Sequence, residues 1–285
     1  MDDGTDRLVR LLRAGGVVAL TGAGMSTDSG IPDYRGPDGA LRHGHTPMTY
    51  GEFVADAEAR RRHWARGHVG WRRVAGASPN PAHRALAALE RGGWVSGVIT
   101  QNVDGLHRAA GSAEAIELHG DLGGTVCLDC GAHEARARVA ERLDELNPGL
   151  EGPSPHAAPD GDAHLADEVV DGFVMADCLA CGGVLKPDVV FFGEQVPRDR
   201  VDRSFAMVDA ASALLVLGSS LTVMSGYRFV LRARRNGTPV AIVNRGPTRG
   251  DDDADLRLDA GLTDILTRAV AALGAGSAGA SDRSG

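Results

Sequence analysis

Apolar residues Leu8, Val9, Leu11 and Leu12 share one side of a helix over residues 5–14. Gly15-Gly16 stops that helix, and Val17–Thr21 is an apolar run of strand length that leads into Gly22-Ala23-Gly24. Residues 51–76, arginine-rich with Trp64 and Trp71, predict helices outside the main sheet. Asn80-Pro81 supplies a cap and a first-turn proline for a helix to about Glu90. A second strand is predicted over 94–100 and a third over 115–118. Further on, 213–217 and 239–243 are apolar runs of buried-strand length, separated by a helical segment at 225–236. Strands alternating with helices imply βαβ units, and so an α/β fold with a doubly wound, Rossmann-like parallel sheet.

The segment from Asp121 to about Lys186 breaks this rhythm. It carries all four cysteines and a Pro/Gly/Asp-rich loop near 147–163. The expected division is a main domain of residues 1–50, 77–120 and 186–273, with 51–76 as the helical part of a small domain. Residues 121–185 form a metal module, and 274–285, rich in Gly, Ala and Ser, form a disordered tail. There is no internal repeat.

Charge and composition narrow the function classes. Thirty-eight acidic against thirty basic residues leave a net charge of −8, which argues against nucleic acid as the main partner and tolerates basic peptides. No apolar run reaches the roughly 18 residues of a membrane span, and the N-terminus is acidic rather than signal-like. A cytoplasmic protein with no membrane partner is therefore expected. Nothing in the sequence sets an oligomeric state. Lys186 is the only lysine.

Cys127-x-x-Cys130 and Cys178-x-x-Cys181 carry the strongest chemical signal. Each pair can clasp a metal from a tight turn, and four thiolates close a tetrahedral zinc site that leaves no position for substrate. One structural zinc is the expectation. The competing reading is two reducible disulfides, and the 47 residues between the pairs exceed the usual ribbon spacing.

Gly22-Ala23-Gly24 follows the first strand, where glycines let backbone amides approach a phosphate. The third glycine of the dehydrogenase fingerprint is replaced by Thr27, and no acidic residue ends a second strand at the right distance. That mismatch argues against hydride transfer, and a plain strand-to-helix turn would account for the motif equally well. Gln101, Asn102 and Asp104 lie just past one predicted strand and His119 just past the next, at the edge where open α/β sheets place ligands. Amides and a carboxylate suit sugar hydroxyls, and a histidine can take a proton from one near neutral pH. His119 could equally be a structural, hydrogen-bonded histidine, and His107, one turn into the following helix, has a weaker claim. Gly218-Ser219-Ser220 and Asn244 end two further strands at the same edge. The extended run Val189, Val190, Phe191, Phe192, Gly193 and Glu194 could pair with a peptide backbone or be a core strand.

Taken together, these segments resemble the sirtuin family. The matching pieces are Gly22-Ala23-Gly24-Met25-Ser26, Gly30-Ile31-Pro32-Asp33-Tyr34-Arg35, Thr100-Gln101-Asn102-Val103-Asp104, Leu118-His119-Gly120, both cysteine pairs, Lys186-Pro187-Asp188 with the run to Glu194, and Gly218-Ser219-Ser220. They stand in family order and span about residues 8 to 273. The wording around Cys127, the long cysteine gap, Tyr227 and Pro247-Thr248-Arg249 resemble the branch that includes mitochondrial sirtuins of weak deacetylase activity.

The resemblance implies a Rossmann NAD-binding domain plus a zinc module, with NAD and an acyl-lysine protein or peptide entering the cleft between them from opposite sides. Gly22, Ala23, Gly24, Ser26, Asp33 and Arg35 would bind the phosphates and hold the cofactor loop. Gln101, Asn102 and Asp104 would hold the nicotinamide ribose and amide. Gly218, Ser219, Ser220, Asn244 and Arg245 would contact the adenosine side, with Leu262 beside them. In the implied reaction the acyl oxygen attacks the ribose anomeric carbon and nicotinamide leaves. His119, assisted by Asn102 and Asp104, then acts as general base on a ribose hydroxyl, yielding free lysine and O-acyl-ADP-ribose. The run from Val189 to Glu194 would lie along the substrate backbone. Sirtuins that prefer acidic acyl groups resemble one another in a Tyr-x-x-Arg pair, and residues 36–42 lack its tyrosine. Protein mono-ADP-ribosylation is the alternative activity.

Overall fold

The computed structural model describes residues 3–36, 39–43, 46–150, 158–163 and 165–278. Helix α1 (Asp3–Arg13) leads into β1 (Val17–Thr21), and α2 (Tyr50–Ala55) and α3 (Ala57–Ala75) form the helical insert. The chain returns through α4 (Pro81–Arg91), β2 (Val95–Thr100), α5 (Leu106–Ala109) and β3 (Ala115–Glu117). The cysteine-bearing segment holds β4 (Gly120–Cys127), β5 (His133–Ala135), α6 (Arg136–Leu146), α7 (Asp167–Asp171) and β6 (Leu185–Val189). The second half completes the main sheet with α8 (Arg198–Ala210), β7 (Ala213–Leu217), α9 (Met224–Asn236), β8 (Val240–Val243), β9 (Leu256–Leu258) and α10 (Leu262–Ala278).

The main sheet is all parallel in the order β3-β2-β1-β7-β8-β9, the doubly wound order in which the winding reverses between β1 and β7. Its central strands β1, β7 and β8 are buried along their whole length because both faces are covered, while the edge strands β3 and β9 carry Glu117 and Arg257. Val17 and Ala19 point to a core shared with α1, α4 and α10, while Val18 and Leu20 point to one built with Phe229 and Val230 of α9. The starts of α2, α3 and α4 carry side-chain caps. The Asn80 side chain accepts from the amides of Ala82 and His83, and Thr49 and Glu52 form a reciprocal capping box ahead of α2.

A second, three-stranded antiparallel sheet, β5-β4-β6, carries the cysteines. It shares a core with the helical insert through Phe53, Trp64, Leu122, Val139, Leu143 and Leu185. Arg136, only 2% exposed, is sandwiched between the rings of Trp64 and Trp71 at 4.7 and 5.3 Å, and burial lowers its pKa to about 9.

Two expected boundaries move. The one at 186 falls inside β6, whose Leu185 and Lys186 pair with Cys127 and Val126 of the small sheet. The tail expected from 274 starts too early, because α10 continues through Ala278 on a face anchored by Leu266, Ala269 and Leu273. Residues 279–285 lie outside the described residues.

Candidate functional site

At the carboxyl ends of β1 and β7, where the winding reverses, a cleft of about 860 Å³ opens between the main sheet and the small module. The loops after these two strands interlock. A Cβ at Gly22 would lie 2.7 Å from that of Ser219, and one at Gly24 would lie 3.0 Å from the Gly218 Cα. These glycines are therefore demanded by loop-on-loop packing, a requirement that precedes any close approach to phosphate. Ala23 and Gly24 line the cleft, whereas Gly22 lies behind its wall.

Ser26 is the hub of the next layer. Its hydroxyl donates to the Asp104 carboxylate at 2.6 Å and accepts from the Asn102 amide at 3.0 Å. Asp104 also accepts from the Leu106 amide at 2.9 Å, and burial raises its pKa. Gln101 is oriented by Ser219, whose hydroxyl donates to its side-chain oxygen at 2.6 Å and accepts from the Leu221 amide at 3.2 Å. Leu221 holds a left-handed backbone, φ 56°, a conformation that costs a branched side chain about 1–2 kcal/mol. Asp33 folds back on its own loop and accepts from the Gly36 amide at 2.7 Å. Arg35, Ser220, Asn244 and Arg245 complete this end of the cleft.

His119 sits where the two halves meet. Its Nδ1 lies 2.9 Å from the Gln101 carbonyl oxygen and its Nε2 2.8 Å from the Ser225 hydroxyl. A carbonyl only accepts, so Nδ1 carries the proton and Nε2 is the basic nitrogen. Burial lowers the imidazole pKa, opposed by the hydrogen bond to Gln101 and reinforced by Arg228 and Arg200. The ring is thus neutral near pH 7. His107 is placed differently, at the second position of α5 and not a full turn in. It is buried, with Nε2 2.8 Å from the Thr21 hydroxyl and its ring against His83.

Beyond β6 the chain runs along the cleft from Val190 to Glu194 outside regular strand. The Val190 amide donates to the His119 carbonyl at 2.8 Å and the Tyr50 amide to the Phe192 carbonyl at 2.9 Å. Glu194 accepts from the Phe191 amide at 2.8 Å and from Lys186 Nζ at 3.2 Å, while Lys186 also donates to the Val189 carbonyl at 2.6 Å. The run is divided, with Val189 and Phe191 buried in the core of the small module and Phe192 40% exposed. Leu262, like Gly22, is not among the residues lining the cleft. It is buried beneath Gly218 in the core of α10 and is not part of the cleft wall, because it faces inward from the first turn of an amphipathic helix.

The four cysteine sulfurs all lie within 4.8 Å of one another, with Cys127–Cys181 at 3.6 Å and Cys130–Cys178 at 3.8 Å. Tetrahedral zinc with 2.3 Å bonds requires sulfurs about 3.8 Å apart, whereas a disulfide requires about 2.05 Å. The donor set fits one zinc ion. Both knuckles have the same turn, closed by Gly131 and Gly182 amides donating to the Cys127 and Cys178 carbonyls, with those glycines at φ 73° and 72°.

The Sir2 family model matches residues 22–225. The chain belongs to the Sir2 family. This sirtuin is 57% identical over 263 residues to the NAD-dependent protein deacetylase 1 of Streptomyces coelicolor, covering 92% of this chain and 88% of the relative. It is 48% identical over 252 residues to the NAD-dependent protein lipoamidase sirtuin-4, mitochondrial, of Bos taurus, covering 88% of this chain and 80% of that protein. The second likeness agrees with the mitochondrial branch that the wording of the sequence resembles. Among solved structures, Sir2 with a p53 peptide and NAD superposes with a TM-score of 0.75 at 31% identity, covering 95% of this chain and 99% of the other.

Three parts of the sirtuin's cleft escape sequence reading. Ser225, His63 and the loop at Pro159-Asp160 all line it. His63 packs edge-on against Phe53 and Phe191 at 5.6 and 5.0 Å, and comes from the helical insert. No periodicity or motif flags these residues, because contacts such as His63 with Phe191 and Ser225 with His119 join positions more than 100 residues apart. A serine one residue into a helix reads as ordinary capping chemistry.

Proposed function

We propose that this protein is an NAD-dependent protein-lysine deacylase that converts acyl-lysine and NAD to free lysine, nicotinamide and O-acyl-ADP-ribose. The observation that carries the reading is His119, neutral and with Nε2 as its basic nitrogen, in a cleft at the winding reversal of a Sir2-family sheet. In this reading Ala23, Gly24, Ser26 and Arg35 hold the phosphates. Gln101, Asn102 and Asp104 hold the nicotinamide and its ribose, and Gly218, Ser219, Ser220, Asn244 and Arg245 hold the adenosine side. His119 takes the ribose proton through Nε2 after nicotinamide has left. The run from Val189 to Glu194, pinned on one side by Lys186, supports the substrate backbone. A zinc held by Cys127, Cys130, Cys178 and Cys181 would have all four coordination positions taken by thiolates, which suits a structural role.

The relatives named as a deacetylase and a lipoamidase set the range of acyl groups to try. The test is mass spectrometry of acetyl-, longer-acyl- and lipoyl-lysine peptides incubated with the protein and NAD. Free lysine peptide formed together with O-acyl-ADP-ribose is the expected result. Label from NAD appearing on protein in the absence of acyl peptide, with every peptide left intact, would replace deacylation by mono-ADP-ribosylation.

A further inference from the structure

His119 is gripped at both ring nitrogens. Its Nδ1–H donates to the Gln101 carbonyl, and its Nε2 accepts from the Ser225 hydroxyl at 2.8 Å. Ser225 is the second residue of α9, and its neighbour Gly226 lies directly under the Gln101 amide, which a Cβ would strike. The first turn of α9 thus bears on Gln101 and His119 together, while Ser219 fixes Gln101 from the other side. An imidazole held by one nitrogen can rotate about its Cβ–Cγ bond and change tautomer. Held by two, it has a single orientation, with its lone pair aimed at whatever occupies the place of Ser225.

We propose that Ser225 is a positioning residue for the general base. Its hydroxyl keeps His119 in the Nδ1–H tautomer and yields the Nε2 lone pair to the ribose hydroxyl of bound NAD. This rests on the deacylase reading. In the step concerned, the ribose oxygen bonds to the imidate carbon, the C=N π pair moves onto nitrogen and the ribose proton passes to Nε2, while Ser225 keeps its own proton throughout. Once Nε2 is protonated the Ser225 oxygen accepts from the new N–H, so its contribution belongs to the step after nicotinamide departure.

That timing separates it from a role in shaping the cleft. Ser225→Ala, Ser225→Val and Ser225→Thr are compared with wild type in two assays, acyl-peptide turnover and exchange of labelled nicotinamide into NAD, with zinc content and thermal midpoint as folding checks. Ala and Val should lower kcat about tenfold, the worth of one well-placed hydrogen bond, and leave exchange within about twofold. Thr, which has the shape of Val but retains the hydroxyl, should restore most of the turnover. Ser225→Ala with wild-type kcat would overturn the proposal. So would Thr falling as far as Val, or exchange falling in step with turnover in folded, zinc-loaded protein. A wild-type protein that turns over no acyl peptide would defeat the deacylase reading itself, and this inference with it.

Discussion

At the residue scale, a half-buried histidine that lines the cleft and a fully buried one have opposite tasks. His119 combines a basic Nε2 with cleft access, so His119→Ala should slow product formation by roughly 10²–10⁴ and weaken NAD binding much less. Steady-state turnover beside a binding titration checks this, and near wild-type turnover in a folded His119→Ala protein would reject the assignment. Because burial lowers its pKa, the acid limb of kcat/KM should fall below the ordinary histidine value of 6.5. His107 and His83 face one another inside the protein, and burial lowers their pKa values to about 3 and about 4. The unfolded chain takes up protons below pH 6.5 while the folded one does not, so stability falls as pH drops from 6.5 toward 4. Each histidine contributes about 1.4 kcal/mol per pH unit to that loss. Urea unfolding between pH 7.5 and 5 should show a shallower slope for His107→Gln than for wild type, and equal slopes would refute the assignment.

At the element scale, the two zinc knuckles lie at the ends of paired strands that are distant in the chain. Cys127 ends β4 and Cys178 lies ahead of β6, and the two strands pair so that Cys127 faces Leu185. Metal binding and folding are coupled in such sites. Cys130→Ser should therefore drop zinc from one per chain to well below that, and release hydrogen-exchange protection across β4, β5 and β6. Stoichiometric zinc in the variant, with protection intact, would contradict the four-thiolate site. The lone lysine depends on the same sheet. Lys186 sits over the Phe191 ring at 4.7 Å and ties Val189 to Glu194, so the cleft-side run inherits its shape from β6.

At the scale of the whole molecule, the cleft has two walls of different origin. One wall, proposed for NAD, is built on the parallel sheet, whose core cluster contains none of the cysteines, and the other, proposed for peptide, continues from the cysteine-bearing sheet. Protein stripped of zinc should consequently lose acyl-peptide binding before it loses ADP-ribose binding. Calorimetric titration of both ligands before and after chelation reads the difference directly, and equal losses would show that the two walls stand or fall together. Much of this arrangement was legible in the chain itself. The apolar runs at 17–21, 213–217 and 239–243 pointed to buried strands, and paired Cys-x-x-Cys turns pointed to a common metal ahead of disulfides, because periodicity and short spacings are local properties of the backbone. Other features depended on tertiary packing. Lys186–Val189 joined the small sheet by register with β4, Leu262 turned into the core, and Gly22 and Gly24 proved to be set by the loop of Ser219. The contact of Ser225 with His119, 106 residues apart in the chain, likewise exists only where α9 meets the sheet edge. Local sequence determined which segments became strands, helices and metal knuckles. Which side chains meet in the cleft was decided by sheet order and loop packing, since the partners of each cleft residue come from strands distant in sequence.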